Sequence, residues 1–186
     1  MNKKGQILAA AIKLFNTYGF DKTPTSLIAK EAGVATGTLF HYFSTKEELI
    51  NHLYLKCKDN MMERAFKGVE NEKSYRSKFR KTYDNMIRWG VEYKDDFLFF
   101  QQFSNSPSIS ESTKEEGRIR FEAIHQMILQ GIEEEIFKEI DPEFLINLLF
   151  GLFSTNILYL VGNPEKLQDP DFFEVSFTVL WDAIKR

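Results

Sequence analysis

The sequence predicts an all-α protein in which a small N-terminal helix-turn-helix domain precedes a larger helical domain, about nine helices in all. Apolar residues recur at spacings of three and four along nearly every segment, which is the period of a helix that buries one face. Helix stop and start signals separate these segments, as at Gly19, Gly33 and Asp141-Pro142. A chain of 186 residues that is 43% hydrophobic is long and apolar enough to bury such a core.

Charge is distributed unevenly along the chain, whose formal net charge is −3. Residues 1–58 carry eight lysines against four acidic residues, whereas residues 59–186 carry 16 basic against 23 acidic residues. A protein that meets phosphates with one end only shows this asymmetry. The single cysteine, Cys57, excludes an intrachain disulfide and is interpreted as a small core residue, and the N-terminus enters a helix without a signal peptide. These features predict a cytoplasmic protein.

The first helix is predicted over Lys4–Tyr18, with Leu8, Ile12 and Phe15 on its apolar stripe, and Gly19 ends it. The second helix is capped either by Thr23, with Pro24 in the first helical position, or by Thr25, and we prefer Thr23. Both choices leave Thr25 and Ser26 in the first turn, where hydroxyl and backbone N–H groups can donate to phosphate.

The third helix follows a turn formed by Gly33 and Val34. Leu39, Phe40 and Phe43 lie at helical spacing on one side, which predicts that all three are core. The other side is polar and uncharged, with Thr36, Thr38, His41 and Tyr42 beside Gly37. Small residues at the start of a short helix let its N-terminal end approach a polyanion, as a helix-turn-helix does in the major groove. A solvated helical hairpin is the structural alternative.

The run from Ile28 to Leu49 resembles the DNA-binding domain of the TetR/AcrR family of bacterial transcriptional regulators. The resemblance rests on Ile28-Ala29, Ala32-Gly33-Val34, Gly37-Thr38-Leu39-Phe40, Tyr42-Phe43 and Lys46-Glu47-Glu48-Leu49. It implies that Thr25 and Ser26 contact the DNA backbone and that residues of the third helix approach DNA, namely Thr36, Gly37, Thr38, His41 and Tyr42. No arginine precedes Arg64, so base reading without the common arginine–guanine contact should depend more on DNA shape.

A long fourth helix is predicted from Thr45, which is spaced from Glu48 as in a capping box, to about Phe66. Lys46 opposes the helix dipole, which favours a phosphate partner. We therefore divide the chain into a DNA-binding domain at residues 1–47 and an effector-binding and dimerisation domain at residues 48–186.

The second domain is predicted to contain a helix ending near Lys94, an aromatic segment at 97–103 and one long helix from about Ser112 to Phe137. The segment 144–161 is as apolar as a membrane span, but Asn147 and the polar cluster at 154–156 favour a helix buried on every side. Two apolar C-terminal helices exceed what one small body can bury, which predicts a homodimer without membrane contact. The residues predicted at its interface are Gly151, Phe173, Phe177, Leu180, Trp181 and Ile184. The family resemblance implies a four-helix bundle there.

A hydrophobic effector pocket is expected between helices of the second domain, although core packing explains most of the 18 phenylalanines. The candidate contacts are Tyr83, Met86, Trp89, Phe103, Phe121, His125, Phe153 and Asn156. His125 and Asn156 are the possible polar anchors among them.

The sequence thus predicts a homodimeric regulator, a repressor by the family resemblance, that a small apolar or aromatic effector releases from a palindromic double-stranded DNA operator. We found no catalytic, metal or cofactor motif, which disfavours an enzyme. Two alternatives are a helical small-molecule carrier that does not bind DNA and an unrecognised helical enzyme acting on hydrophobic substrates.

Overall fold

The computed structural model describes residues 2–186, which form ten α-helices, two short 3-10 helices and one isolated β-bridge. The α-helices are α1 Lys3–Tyr18, α2 Thr25–Glu31, α3 Thr36–Tyr42, α4 Lys46–Ala65, α5 Tyr75–Glu92, α6 Lys94–Phe103, α7 Glu111–Arg120, α8 Glu122–Glu133, α9 Pro142–Gly162 and α10 Pro170–Ile184. The 3-10 helices are Val69–Asn71 and Pro164–Gln168. The predicted all-α fold class is confirmed.

The chain forms two compact units whose limits do not follow its order. The head unit contains the residues up to Asp59 together with Asp95–Ile119, and the body unit contains Asn60–Lys94 together with Arg120–Arg186. Helix α4 therefore begins in the head and ends in the body. The predicted boundary after residue 47 stays a prediction about function.

In the head unit, α1 packs against α2 and α3 through a fully buried face that includes Phe15. The Phe15 ring also lies 6.4 Å from Phe99 and 6.2 Å from Phe103, between centroids. Asn16 Nδ2 on α1 donates to the Asp95 carbonyl at 2.9 Å. The segment that contains α6 and most of α7 thus belongs to the same core as the helix-turn-helix.

The body unit is built around α5 and α9, against which α8 and α10 pack. At Gly90 the two central helices approach so closely that an added Cβ would lie 2.3 Å from Ile157 Cδ1. The C-terminus is fixed by a bridge between Phe137 and Lys185, in which the Lys138 N–H donates to the Ile184 carbonyl at 2.9 Å.

Three local expectations were wrong. Thr23 does not cap α2, because its buried hydroxyl donates to the Gly19 carbonyl at 2.7 Å, and Pro24 occupies the N-cap without a side-chain bond. The single helix predicted from Ser112 to Phe137 is two helices, interrupted at Phe121 (φ −93°, ψ 3°), immediately after the chain passes from head to body.

Helix α9 is the third departure. It buries Leu145, Leu149, Ile157 and Leu160 along one face, while Phe144 is 60% exposed and other apolar residues beside it are open to solvent. By length and composition alone it could cross a membrane. The sequence predicted that α9 is buried on every side, but a single chain buries only one face of this helix.

Candidate nucleic-acid interface

Helices α2 and α3 form a helix-turn-helix whose inner sides are buried. Ile28 and Leu39 are completely buried and Phe43 is nearly so, which fixes α3 against the rest of the head. In the turn, Gly33 has φ +66°, and the Val34 N–H donates to the Ala29 carbonyl at 3.0 Å. Glycine adopts this left-handed backbone without the penalty of a side chain, so the two helices can be joined by a few residues.

The outer side of α3 is open. Thr36, Gly37, His41 and Tyr42 are exposed and Thr38 is half-buried, so the five predicted DNA contacts of this helix lie on or beside one accessible surface. A Cβ added at Gly37 would meet nothing within 4 Å. The backbone there can be approached closely, as contact with a base edge requires.

The amino-terminal ends of α2 and α3 lack side-chain caps. Pro24 and Ala35 are their N-cap residues, and neither makes a side-chain hydrogen bond to the helix. Thr25 is half-buried and Ser26 exposed in the first turn of α2. Backbone N–H groups at a helix start that no side chain satisfies are suited to hold phosphate oxygens.

Lys46 has protein partners in the head. Its Nζ donates to the Phe20 carbonyl at 2.9 Å and lies 4.2 Å from the centroid of the Phe20 ring. The predicted cap of this helix is present, because the Glu48 N–H donates to Thr45 Oγ1 at 2.9 Å. The ammonium that we expected to meet a phosphate therefore also ties α4 to the loop after α1.

Phe40 is the clearest departure from the predicted site. We expected its ring in the core, but it is 45% exposed. Leu39 and Phe43 fill the inner side of α3, and a helix rotates by about 100° per residue, so the next position after Leu39 points away from that side. Counting from Thr36, which is also exposed, would have placed Phe40 near the outer face.

A second cluster of predicted residues meets inside the body. Asn156 Nδ2 donates to the Tyr83 hydroxyl at 3.2 Å, and that hydroxyl donates to Ser176 Oγ at 2.6 Å. The Phe153 ring lies 5.5 Å from that of Tyr83. Burial raises the pKa of Tyr83 to about 12, so its hydroxyl stays protonated and can act as a donor.

The other predicted effector contacts are distributed more widely. Met86 and Trp89 are buried on α5, and Trp89 Nε1 donates to Asn60 Oδ1 on α4 at 2.6 Å. Phe121 and His125 are half-buried on the other side of the α7–α8 break. Phe103 belongs to the head core, so the eight candidates do not form one cluster.

The residues predicted at a subunit interface are mostly interior to one chain. Phe173, Phe177, Leu180, Trp181 and Ile184 are all buried in the body, because α10 turns this face toward α5 and α9. Gly151 is exposed on α9, with open space at its Cβ position. The exposed apolar residues of α9 and α10 lie on other faces, which the sequence analysis did not distinguish.

Among residues 2–186 no group of three or more His, Cys, Asp or Glu side chains could hold a metal ion. Cys57 is buried with its Sγ 3.6 Å from Asp96 Oδ1, and burial raises the pKa of its thiol well above the ordinary value. A protonated, buried thiol is unreactive, as expected for a structural cysteine.

Two family models together match residues 7–186. A family model described as bacterial regulatory proteins of the tetR family matches residues 7–53, and one described as the tetracyclin repressor-like C-terminal domain matches residues 54–186. YhgD of Bacillus subtilis, an uncharacterised HTH-type transcriptional regulator, is 24% identical over 172 residues, which cover 91% of this chain and 88% of that protein.

Solved structures are similar over the full length. A protein described as a tetR family transcription regulator from Shewanella sp. PV-4 has a TM-score of 0.90 and 30% identity, with all of both chains covered. The transcriptional regulator FadR of B. subtilis, in complex with stearoyl-CoA, has a TM-score of 0.70 and 23% identity over 95% of each chain, which shows a common fold.

Proposed function

The chain belongs to the tetR family of bacterial regulatory proteins, and from this premise we propose that it is a homodimeric repressor released from a palindromic operator by a small apolar or aromatic effector. Membership makes it a transcriptional regulator with a helix-turn-helix DNA-binding domain. The repressor role, the effector and the operator are the parts we propose. We propose that it acts in the cytoplasm, where bacterial genes are regulated.

The open outer face of α3 is the observation that carries the DNA-binding proposal. Thr36, Thr38 and His41 offer hydroxyl and imidazole groups to base edges, and Gly37 permits close approach. Thr25 and Ser26, at the uncapped start of α2, are proposed phosphate contacts. We assign Lys46 to the phosphate backbone as well, through its remaining N–H donors.

An exposed row of apolar and small residues on α9 supports the dimer. Its members alternate at spacings of four and three, the repeat by which one helix packs along another. They are Phe144, Leu148, Gly151, Thr155, Leu158 and Gly162. Val175 and Val179, both more than 60% exposed, continue an apolar surface on α10. We propose that these residues, rather than the buried face of α10, pair with a second copy; we name them the α9–α10 seam.

A cluster inside the body supports effector binding. It consists of Tyr83, Phe153, Asn156 and Ser176, and we name it the Tyr83 cluster. It places a protonated phenol and an amide among aromatic rings, the combination of apolar walls and few polar groups typical of ligand sites. Trp89 donates a hydrogen bond to Asn60 on α4, the helix that continues into the head. A ligand that moves Trp89 would therefore act directly on α4. We propose that this shift of α4 changes the spacing of the two heads.

The DNA-binding proposal is tested by capturing genomic fragments with the purified protein and sequencing them. We expect a palindrome, bound with a steep dependence on salt because the contacts release counterions from phosphates. Thr38→Ala combined with His41→Ala should abolish this binding while leaving helicity and oligomeric state unchanged. Thr17→Ala, which removes an exposed threonine hydroxyl of the head outside α3, should retain it.

Full operator affinity in the Thr38/His41 double variant would refute the assigned reading face. If the wild-type protein retains no DNA but binds apolar ligands, it is the helical carrier instead of a regulator.

Stearoyl-CoA, the ligand of the Bacillus regulator, is the first effector to test, followed by free fatty acids and aromatic acids. Release of the operator by one of them, lost in Tyr83→Phe or Asn156→Ala but retained in the surface variant Gln168→Glu, would assign the cluster.

A further inference from the structure

The recognition helix α3 presents an aromatic ring that has no hydrogen-bonding group. Phe40 is 45% exposed, and among residues 2–186 no other aromatic ring is paired with it. Buried phenylalanines elsewhere in the head, such as Phe15 and Phe43, are at most 5% exposed. Packing of the free protein therefore does not explain why position 40 is aromatic.

The Phe40 ring lies beside residues of the proposed DNA-facing surface. Phe40 follows Thr36 by four residues and Gly37 by three, so the three lie together on successive turns of the helix. Thr36 and Gly37 are both exposed, and Gly37 leaves open space for a bound duplex. A duplex that contacts Thr36 and Gly37 must come within reach of the Phe40 ring.

The chemistry of the ring restricts what it can contact there. A phenylalanine cannot donate a hydrogen bond to a phosphate, and covering the polar edge of a base would leave donors or acceptors unsatisfied. The C5-methyl of thymine is the one apolar group on the major-groove edges of the standard bases, and apolar side chains recognise it by contact.

We propose that Phe40 is a specificity-determining residue that reads a thymine methyl group in each operator half-site, next to the base that Thr36 contacts. This inference rests on the proposed DNA-binding function. It assigns sequence selectivity to an apolar contact in a helix that carries no arginine or lysine, and it implies that the operator contains a thymine at a fixed position in each half-site.

The test uses the captured operator with single thymines replaced by deoxyuridine, which removes only the methyl group. Losing one buried methyl should weaken wild-type binding about fourfold per half-site at one thymine, and not at the others. Phe40→Ala should bind the thymine and deoxyuridine duplexes equally at that position. Phe40→Leu, which keeps an apolar contact, should retain part of the difference.

Tyr18→Ala is the matched control, because it truncates an exposed aromatic ring of the head that lies outside α3 and the assigned DNA contacts. Its pattern of deoxyuridine effects should equal that of the wild type. If Phe40→Tyr binds more tightly with a steeper salt dependence, and no deoxyuridine is discriminated, the ring lies on the phosphate backbone and the proposal is wrong. Failure of the wild type to bind any duplex would instead overturn the regulator function on which the proposal rests.

Discussion

The imidazole of His52 lies half-buried on α4, with its ring 5.4 Å from that of Phe43 at the end of the recognition helix. Burial, and after it the charges of Lys4 and Lys56, lowers the pKa of His52 from its ordinary 6.5, while two nearby carboxylates act in the opposite sense. The folded head therefore binds a proton at this site less readily than the unfolded chain does. Folding of the head is therefore less favourable in acid.

His52→Gln should make the head less sensitive to acid. Because the pKa is lower in the folded state, the stability that neutral His52 contributes is complete above about pH 6.5 and is lost as pH falls from there through the lower folded pKa, whereas glutamine has no proton to bind. The unfolding free energy of the variant, measured by urea denaturation, should thus gain on the wild type as the pH is lowered. Lys4→Gln should move the His52 pKa back toward its ordinary value in an NMR titration. A wild-type His52 that titrates above 6.5 would contradict this.

For single residues, the sequence shows which side chains can form hydrogen bonds better than it shows which partner each one binds. The Thr45 cap on α4 was predictable because both bonded groups lie within four residues. Lys46 instead binds the carbonyl of Phe20, 26 residues earlier, which only the folded head brings into reach, and Thr23 binds the Gly19 carbonyl in the turn that precedes α2. Capping and charge arguments counted along one helix omit such competing partners.

Between elements, α5 and α9 pack closely against each other at Gly90. Ile157 supplies three side-chain carbons within 3 Å of the position that a Cβ would take. The Ile157 side chain thus packs directly on the Gly90 backbone, and on the same two helices Asn156 and Tyr83 form a hydrogen bond. Glycine at position 90 allows this close packing, and the packing in turn supports the hydrogen bond between Tyr83 and Asn156.

Gly90→Ala should destabilise the body by about 1–2 kcal/mol. Alanine favours a helix over glycine by about 1 kcal/mol, but overpacking a core typically costs about 1–3 kcal/mol, and we expect the upper part of that range because the methyl must displace the buried, β-branched Ile157. Combining it with Ile157→Ala should cost less than the sum of the two single changes, since the new methyl fills part of the space left. Gly37→Ala, in open surroundings, should stabilise by up to about 1 kcal/mol in the same denaturation experiment.

The elements themselves were largely predictable, because apolar spacing and stop signals are local. The break between α7 and α8 was not, since apolar spacing continues through Phe121 and the interruption falls where the chain leaves the head for the body. For α9 the sequence shows apolarity around the circumference but not which part the chain itself covers. That division depends on where α5, α8 and α10 pack.

Over the whole molecule, the chain passes between head and body three times, after Asp59, Lys94 and Ile119. The lysine-rich end of the sequence is folded together with the segment Asp95–Ile119, which the family model places in the C-terminal domain. One helix-turn-helix is a small contact with DNA, so tight binding to a palindrome requires two heads held at a fixed spacing. The seam on α9 and α10 is the surface proposed to set that spacing.

Leu158→Glu and Val179→Glu should each separate the dimer into folded monomers. Both side chains are exposed in one chain, so the substitutions leave its interior intact, whereas an unpaired carboxylate buried between two copies should raise the dimer dissociation constant at least about a hundredfold. Sedimentation velocity should show a monomer with wild-type helicity by circular dichroism, and operator binding should fall with it, because each monomer engages one half-site. Gln168→Glu adds the same charge outside the seam and should remain dimeric.

Two outcomes would contradict this prediction. A Leu158→Glu protein that stays dimeric would place the interface elsewhere. A wild-type protein that sediments with lipid vesicles would assign the exposed face of α9 to a membrane.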